Sequence, residues 1–127
     1  MIKMAFVTGA DGFLGRHIVE DLFKDGYEIT CLVNSNKNKV KYLDTLKIKY
    51  YSIDIRDVDN IIDIIPQNAF VFHCAAITQS KKESKNVYLD INAKATLDLY
   101  RSSISKNVSQ FIFISSNQAK LDECDKL

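Results

Sequence analysis

With 127 residues, the chain is long enough for one domain with a real core and too short for a separate substrate domain beside it. Lys+Arg 17 against Asp+Glu 16 leaves no basic field for nucleic acid, no apolar run approaches membrane-spanning length, and the N-terminus lacks the hydrophobic region of a secretory signal, so a cytoplasmic protein is expected. Cys31, Cys74 and Cys124, widely spaced and without a C-x-x-C pair, indicate neither a zinc site nor a disulfide framework and read as small buried hydrophobes.

The first predicted element is a strand, Ile2 to Val7, and directly behind it stands Thr8-Gly9-Ala10-Asp11-Gly12-Phe13-Leu14-Gly15. A glycine at every third position between a strand and a helix lets the backbone come up against a pyrophosphate. Gly9 allows a tight turn, Gly12 admits phosphate oxygens where a Cβ would block them, and Gly15 permits close helix packing. The helix that follows directs its unpaired N–H groups and positive dipole end at the ligand. Leu14, Ile18 and Leu22 recur along it as one apolar face, Gly26 stops it, and Glu28 to Val33 forms the second strand. Dinucleotide binding is therefore the first functional expectation.

Asn34 to Lys39 reads as a turn, and Val40 to Leu46 as a short helix or an irregular crossover. Ile48 to Ile53 is the third strand. Asp57 is placed to cap a helix carrying Val58, Ile61, Ile62 and Ile65, ended by Pro66. Ala69 to His73 is the fourth strand. A polar loop, Thr78 to Lys85, leads to a helix from about Asn86 to Ser103 with Val87, Ile91, Ala95 and Leu99 on one face, and Gln110 to Ile114 is the fifth strand. Short apolar strands alternating with amphipathic helices predict an α/β domain over 1–116 with a polar tail, 117–127. Its parallel sheet is doubly wound in the order 3-2-1-4-5, and ligand is expected above the carboxyl ends of the first and fourth strands.

Several separated segments together resemble the extended short-chain dehydrogenase/reductases, the NAD-dependent epimerase/dehydratases. They are the glycine turn, Asp54-Ile55 after the third strand, His73-Cys74-Ala75-Ala76 after the fourth, Asn92 with Thr96 in the long helix, and Ser115-Ser116 after the fifth. The resemblance implies a Rossmann-type fold binding NAD or NADP. It implies that Asp54 accepts from the adenine amino group, that the Ile55 backbone meets the ring, and that Ala75 and Ala76 lie under the ribose and nicotinamide. Asn92 would support the sheet and a water relay, and Ser116 matches the catalytic Ser or Thr that binds the substrate oxygen. Each also has a plainer reading: Asp54 as a turn former, Asn92 as a helix residue bonded to nearby backbone, Ser115-Ser116 as an ordinary turn.

The family's proton exchange needs a Tyr-x-x-x-Lys pair, and four positions after Tyr27, Tyr42, Tyr50, Tyr51, Tyr88 and Tyr100 stand Cys31, Leu46, Asp54, Ile55, Asn92 and Ile104. The chain also stops near where that helix would begin, so the resemblance implies the cofactor-binding front part of a longer enzyme, inactive alone. Asn117-Gln118 stands where the dehydratases carry Asp-Glu, and amides cannot serve as acid and base. Glu28 to Asp44 contains no acid between its ends to hold a ribose 2′-hydroxyl, and Asn34 occupies that place. Arg16 with Lys37, Lys39 or Lys41 leans the choice toward NADP; an ordinary solvated face is the alternative. Two other classes remain open. One is a non-catalytic dinucleotide-binding or partner-binding module that self-associates, or pairs with a complementary chain, through an exposed fifth-strand edge. The other is a phosphoacceptor receiver domain using Asp11 and Asp54.

Overall fold

Ala5, Phe6 and Val7 are wholly inaccessible to solvent because the strand that carries them, β1 (Met4–Thr8), runs through the middle of a parallel sheet. The computed structural model describes residues 1–34, 38–75 and 84–114. Its other strands are β2 (Glu28–Val33), β3 (Lys49–Ser52), β4 (Phe70–His73) and β5 (Gln110–Phe113), in the order β3-β2-β1-β4-β5. Phe6 is opposite Thr30 on one side and Val71 on the other.

Alternation along β1 divides the core into two layers, as a period of two requires. Ala5 and Val7 point to one face, with Cys31 and Val33 of β2, Val19 and Leu22 of helix α1 (Phe13–Lys24) and Leu43 of α2 (Lys41–Leu46). Phe6 points to the other, with Leu32, Val71, Ile61 of α3 (Val58–Ile62), Ile65 and Leu99. Helices on both faces explain why β1 and β2 are apolar at nearly every position. The order also rules out the receiver-domain alternative, whose sheet places β3 beside β1; here β3 is an outer strand and β4 takes that place.

Three expectations need correction. The buried face of α1 is Gly15, Val19 and Leu22, spaced four and three residues apart; Leu14, read as part of it, is 44% exposed. Second, α3 ends at Ile62, four residues before Pro66. Ile64 N–H bonds the Ile61 carbonyl at 3.0 Å, a tightened final turn, and Ile65 reaches the core from the turn beyond. Asp57 precedes α3 as expected, but its side chain makes no cap bond and instead accepts from Asn60 Nδ2 at 2.7 Å. Third, the long helix is three segments in unbroken helical backbone: α4 (Lys85–Leu89), a π turn (Asp90–Lys94) and α5 (Ala95–Ser105). The π turn changes the phase between its two sides, so Ala95 and Leu99 are buried while Val87 and Ile91 are only half-buried. Among the described residues, no helix is long and apolar enough to cross a membrane, and no His, Cys, Asp and Glu cluster could hold a metal ion.

Candidate dinucleotide site

The chain leaves β1 through Gly9 at φ +68, the left-handed region that a residue with a side chain enters only with strain. The turn is fastened to the neighbouring strand: Gly9 N–H and Ala10 N–H both donate to the Leu32 carbonyl, at 2.9 and 3.3 Å. Gly12 N–H returns to the Gly9 carbonyl at 3.0 Å, and Arg16 N–H to the Gly12 carbonyl at 3.0 Å opens α1. The amides of Phe13, Leu14 and Gly15 thus have no acceptor within the helix, and no acidic side chain stands in its first turn. Phe13 is 84% exposed beside them.

The three glycines have different reasons to be there. A Cβ on Gly15 would lie 2.0 Å from the Gly9 carbonyl oxygen, so the first turn of α1 sits directly on the glycine turn, while Val19 and Leu22 further along pack on the sheet. A Cβ on Gly9 would lie 2.8 Å from the Ala75 amide nitrogen, across the sheet at the end of β4. At Gly12, which is exposed, a Cβ would meet only the Gly9 carbonyl oxygen, at 3.3 Å, a tight contact that a small shift can relieve.

One chain of hydrogen bonds, buried at its centre between Thr8 and His73 and part-buried elsewhere, ties the ends of β1 and β4 to the long helix. Thr8 Oγ1 accepts from Cys74 N–H at 3.0 Å and Ala75 N–H at 3.1 Å and lies 2.7 Å from His73 Nδ1. His73 Nε2 is 2.8 Å from Thr96 Oγ1, which itself donates to the Asn92 carbonyl at 3.2 Å. With the Thr96 hydroxyl proton committed to Asn92, Nε2 carries the imidazole proton and Nδ1 accepts from Thr8. His73 is 1% exposed, and burial pulls its pKa down to about 4, so the ring is neutral at pH 7.

Along the carboxyl edge of the sheet the structure brings together most of the residues singled out in the sequence. Asp54 and Ile55 follow β3, Asn34 follows β2, Thr8, Gly9, Asp11, Gly12, Phe13, Leu14 and Gly15 close β1, Ala75 follows β4, and Asn92 lies in the π turn. Ala76, Ser115, Ser116 and Lys37 lie outside the described residues, as does the 117–127 tail. Asp54 makes the turn expected of its plainer reading: Oδ1 accepts from Arg56 N–H at 2.9 Å and from Nε at 2.9 Å, and Oδ2 from Nη2 at 2.6 Å. That guanidinium draws the Asp54 carboxyl down to about 2. Asp11 Oδ2 accepts from Asn34 N–H at 3.0 Å, which joins the glycine turn to the end of β2. Tyr42, on α2, donates to the Ala10 carbonyl at 2.5 Å.

Burial raises the Cys31 thiol to about 12 and Cys74 to about 11. Both stay protonated at pH 7, in keeping with a packing role. A depression of about 560 Å³ lies at the opposite, amino edge of the sheet, bounded by Met4, Glu28, Lys49 and Pro66. None of the turn or strand-end groups reaches it, so the carboxyl edge carries the functional reading. Sequence reasoning placed His73 in the landmark after the fourth strand but gave it no chemical role, since a histidine closing an apolar strand does not reveal its partners. The π turn and the Asp11 and Tyr42 contacts left no signal, because each depends on segments brought together only by folding.

Relatives share this architecture. A UDP-N-acetyl-alpha-D-glucosaminuronate decarboxylase of Bacillus cytotoxicus is 30% identical over 122 residues, 93% of this chain and 38% of that protein. A UDP-glucose 4-epimerase of Neisseria meningitidis serogroup C is 32% identical over 126 residues, 91% of this chain and 37% of its own. The solved UDP-glucose 4-epimerase of Thermotoga maritima, crystallised with UDP-glucose, superposes with a TM-score of 0.78 at 29% identity, covering 90% of this chain and 38% of that one. This chain therefore spans less than two fifths of the length of these relatives. The family model described as "NAD dependent epimerase/dehydratase family" matches residues 5–120. Glycine turn, strand order and match together place this chain in the NAD-dependent epimerase/dehydratase family.

Proposed function

We propose that this chain binds NAD or NADP across the carboxyl edge of its sheet, as the cofactor-binding front part of a cytoplasmic epimerase, dehydratase or reductase acting on a nucleotide-sugar or related alcohol or carbonyl. The observation that carries the reading is the glycine turn: anchored on Leu32, packed under α1, and leaving the amides of Phe13, Leu14 and Gly15 without acceptors in the helix they open. The pyrophosphate would sit on those amides and the adenosine would extend over Asn34 toward Asp54 and Ile55. The nicotinamide would extend toward Ala75 and Ala76, with Asn92 behind. When bound, the cofactor supplies hydride transfer; the chain's own residues bind and orient it. Ser116 would hold a substrate oxygen, but without a Tyr-x-x-x-Lys pair in this sequence the chain supplies no proton-exchanging phenol and is inactive alone.

Isothermal titration of the full chain with NAD and with NADP tests this. Binding of at least one is expected, weakened roughly tenfold or more in Gly12→Val, whose added carbons enter the space reserved for phosphate oxygens. An absent heat with both, or an unchanged affinity in a folded Gly12→Val, overturns the proposal.

A second reading, that the chain is a module that pairs with another chain, has one observation in its favour. Among the described residues β5 is an edge strand, Phe113 on it is 51% exposed, and Leu97, Tyr100 and Ile104 of α5 are 47%, 45% and 59% exposed.

A further inference from the structure

The ribose corner of the proposed site contains a carboxylate that the order of residues along the chain conceals. Dinucleotide-binding sheets use an acid at the end of β2 to accept from the 2′-hydroxyl of NAD, and that acid excludes the 2′-phosphate of NADP. Here the end of β2 is Val33-Asn34. The structure nevertheless sets a carboxylate there, because Asp11 arrives from the glycine turn and its Oδ2 accepts from Asn34 N–H at 3.0 Å.

Three further bonds hold Asp11 in place through its neighbour. Ala10 N–H is fixed to Leu32, its carbonyl takes the Tyr42 hydroxyl, and Gly9 N–H shares the Leu32 carbonyl. Asp11 is half-buried and follows a turn that Gly9 and Ala10 fasten to Leu32 of β2, while its own side chain is held by Asn34 N–H, so its carboxylate is placed before a ligand arrives. The nearest cation on α1 is already engaged: Arg16 Nε lies 2.8 Å from Glu20 Oε1, and its guanidinium covers the Tyr42 ring at 4.7 Å. Arg16 keeps Glu20 ionised, holding its carboxyl below the usual range. Arg16 and Glu20 thus offset one another on α1, and the carboxylate held against the end of β2 is that of Asp11.

Resting on the dinucleotide reading above, we infer that Asp11 is the residue that selects the cofactor: it accepts from the 2′-hydroxyl of NAD and opposes the 2′-phosphate of NADP. This runs against the lean toward NADP taken from Arg16 and the lysines. A hydrogen bond to a charged acceptor corresponds to roughly 10- to 100-fold in affinity, and like charge against the phosphate widens the difference.

The test is titration of the wild-type full chain and of Asp11→Asn with both NAD and NADP, with circular dichroism on each protein. Asparagine keeps the size and the acceptor for Asn34 N–H and removes the charge; Asp11→Ser repeats the test with a shorter acceptor should the first variant not fold. Wild type is expected to favour NAD by about tenfold or more, and the variants to bring the two affinities to within about threefold, mainly by gaining NADP. Equal or tighter binding of NADP by wild type, or an NAD-to-NADP ratio unmoved in a folded variant, overturns the inference while the dinucleotide reading stands. Binding of neither cofactor by wild type overturns both.

Discussion

At the scale of single residues, the three glycines of the turn differ in how much room surrounds them. Gly15 has no room: a methyl group there would collide with the Gly9 carbonyl oxygen at 2.0 Å. Gly15→Ala is expected to lower stability by about 3 kcal/mol or more, read from urea denaturation, because backbone must move on both sides of the contact. Gly12→Val, by contrast, is expected to fold and to lose ligand. His73 yields a pH prediction. Its folded pKa of about 4 lies below the ordinary 6.5, so the unfolded chain takes up a proton that the native ring refuses. The stability that His73 contributes is full above about pH 6.5 and falls as pH drops toward 4, by an amount on the order of 3 kcal/mol. Urea midpoints at pH 7.5 and 4.5 should diverge in wild type and converge in His73→Gln; an equal fall in both proteins would assign the pH dependence to other groups. The tight turn at Gly9 and the close packing at Gly15 were legible in their spacing. That of His73 was not, since a histidine ending a strand acquires meaning only from the Thr8 and Thr96 hydroxyls on either side of it.

At the scale of elements, β2 appears with the bounds its apolar run predicts, Glu28–Val33. Strand runs are local and self-announcing, whereas the face a helix buries depends on how it is rotated against the sheet. Leu14 shows this for α1: its spacing from Ile18 and Leu22 suits a stripe, yet the collapse of Gly15 onto the Gly9 turn rotates the helix so that Val19 is wholly buried and Leu14 is not. Val19→Ala is therefore expected to cost about 2 kcal/mol and Leu14→Ala under about 0.5 kcal/mol, with chemical denaturation of both deciding between the two faces. The same contrast holds on α5, where Leu99 is 1% and Ile104 59% exposed. Leu99→Ala should cost about 2 to 5 kcal/mol and Ile104→Ala close to nothing. The π turn escaped the sequence because nothing in Asp90-Ile91-Asn92-Ala93-Lys94 forbids an ordinary helix. The turn coincides with the point where Thr96 bonds both His73 and the Asn92 carbonyl.

At the scale of the whole molecule, the described sheet ends at β5, with Phe113 and the Leu97, Tyr100 and Ile104 stripe of α5 exposed beside it. Self-association through this face is the expected outcome of sedimentation velocity across a concentration series, reversed by Ile104→Lys; a monomer at every concentration would remove the pairing-module reading. The sequence by itself determined the α/β alternation, the glycine turn after β1 and the family, because these depend on short-range patterns: apolar runs, glycine spacing and motifs adjacent to strand ends. Only the tertiary structure decided which side of α1 is buried, how His73 joins β1 to α5, and that Asp11 supplies the carboxylate missing from β2. Those are contacts between segments 23 to 65 positions apart, set by the order in which the strands lie side by side, and residue types along a chain do not encode such neighbours one at a time.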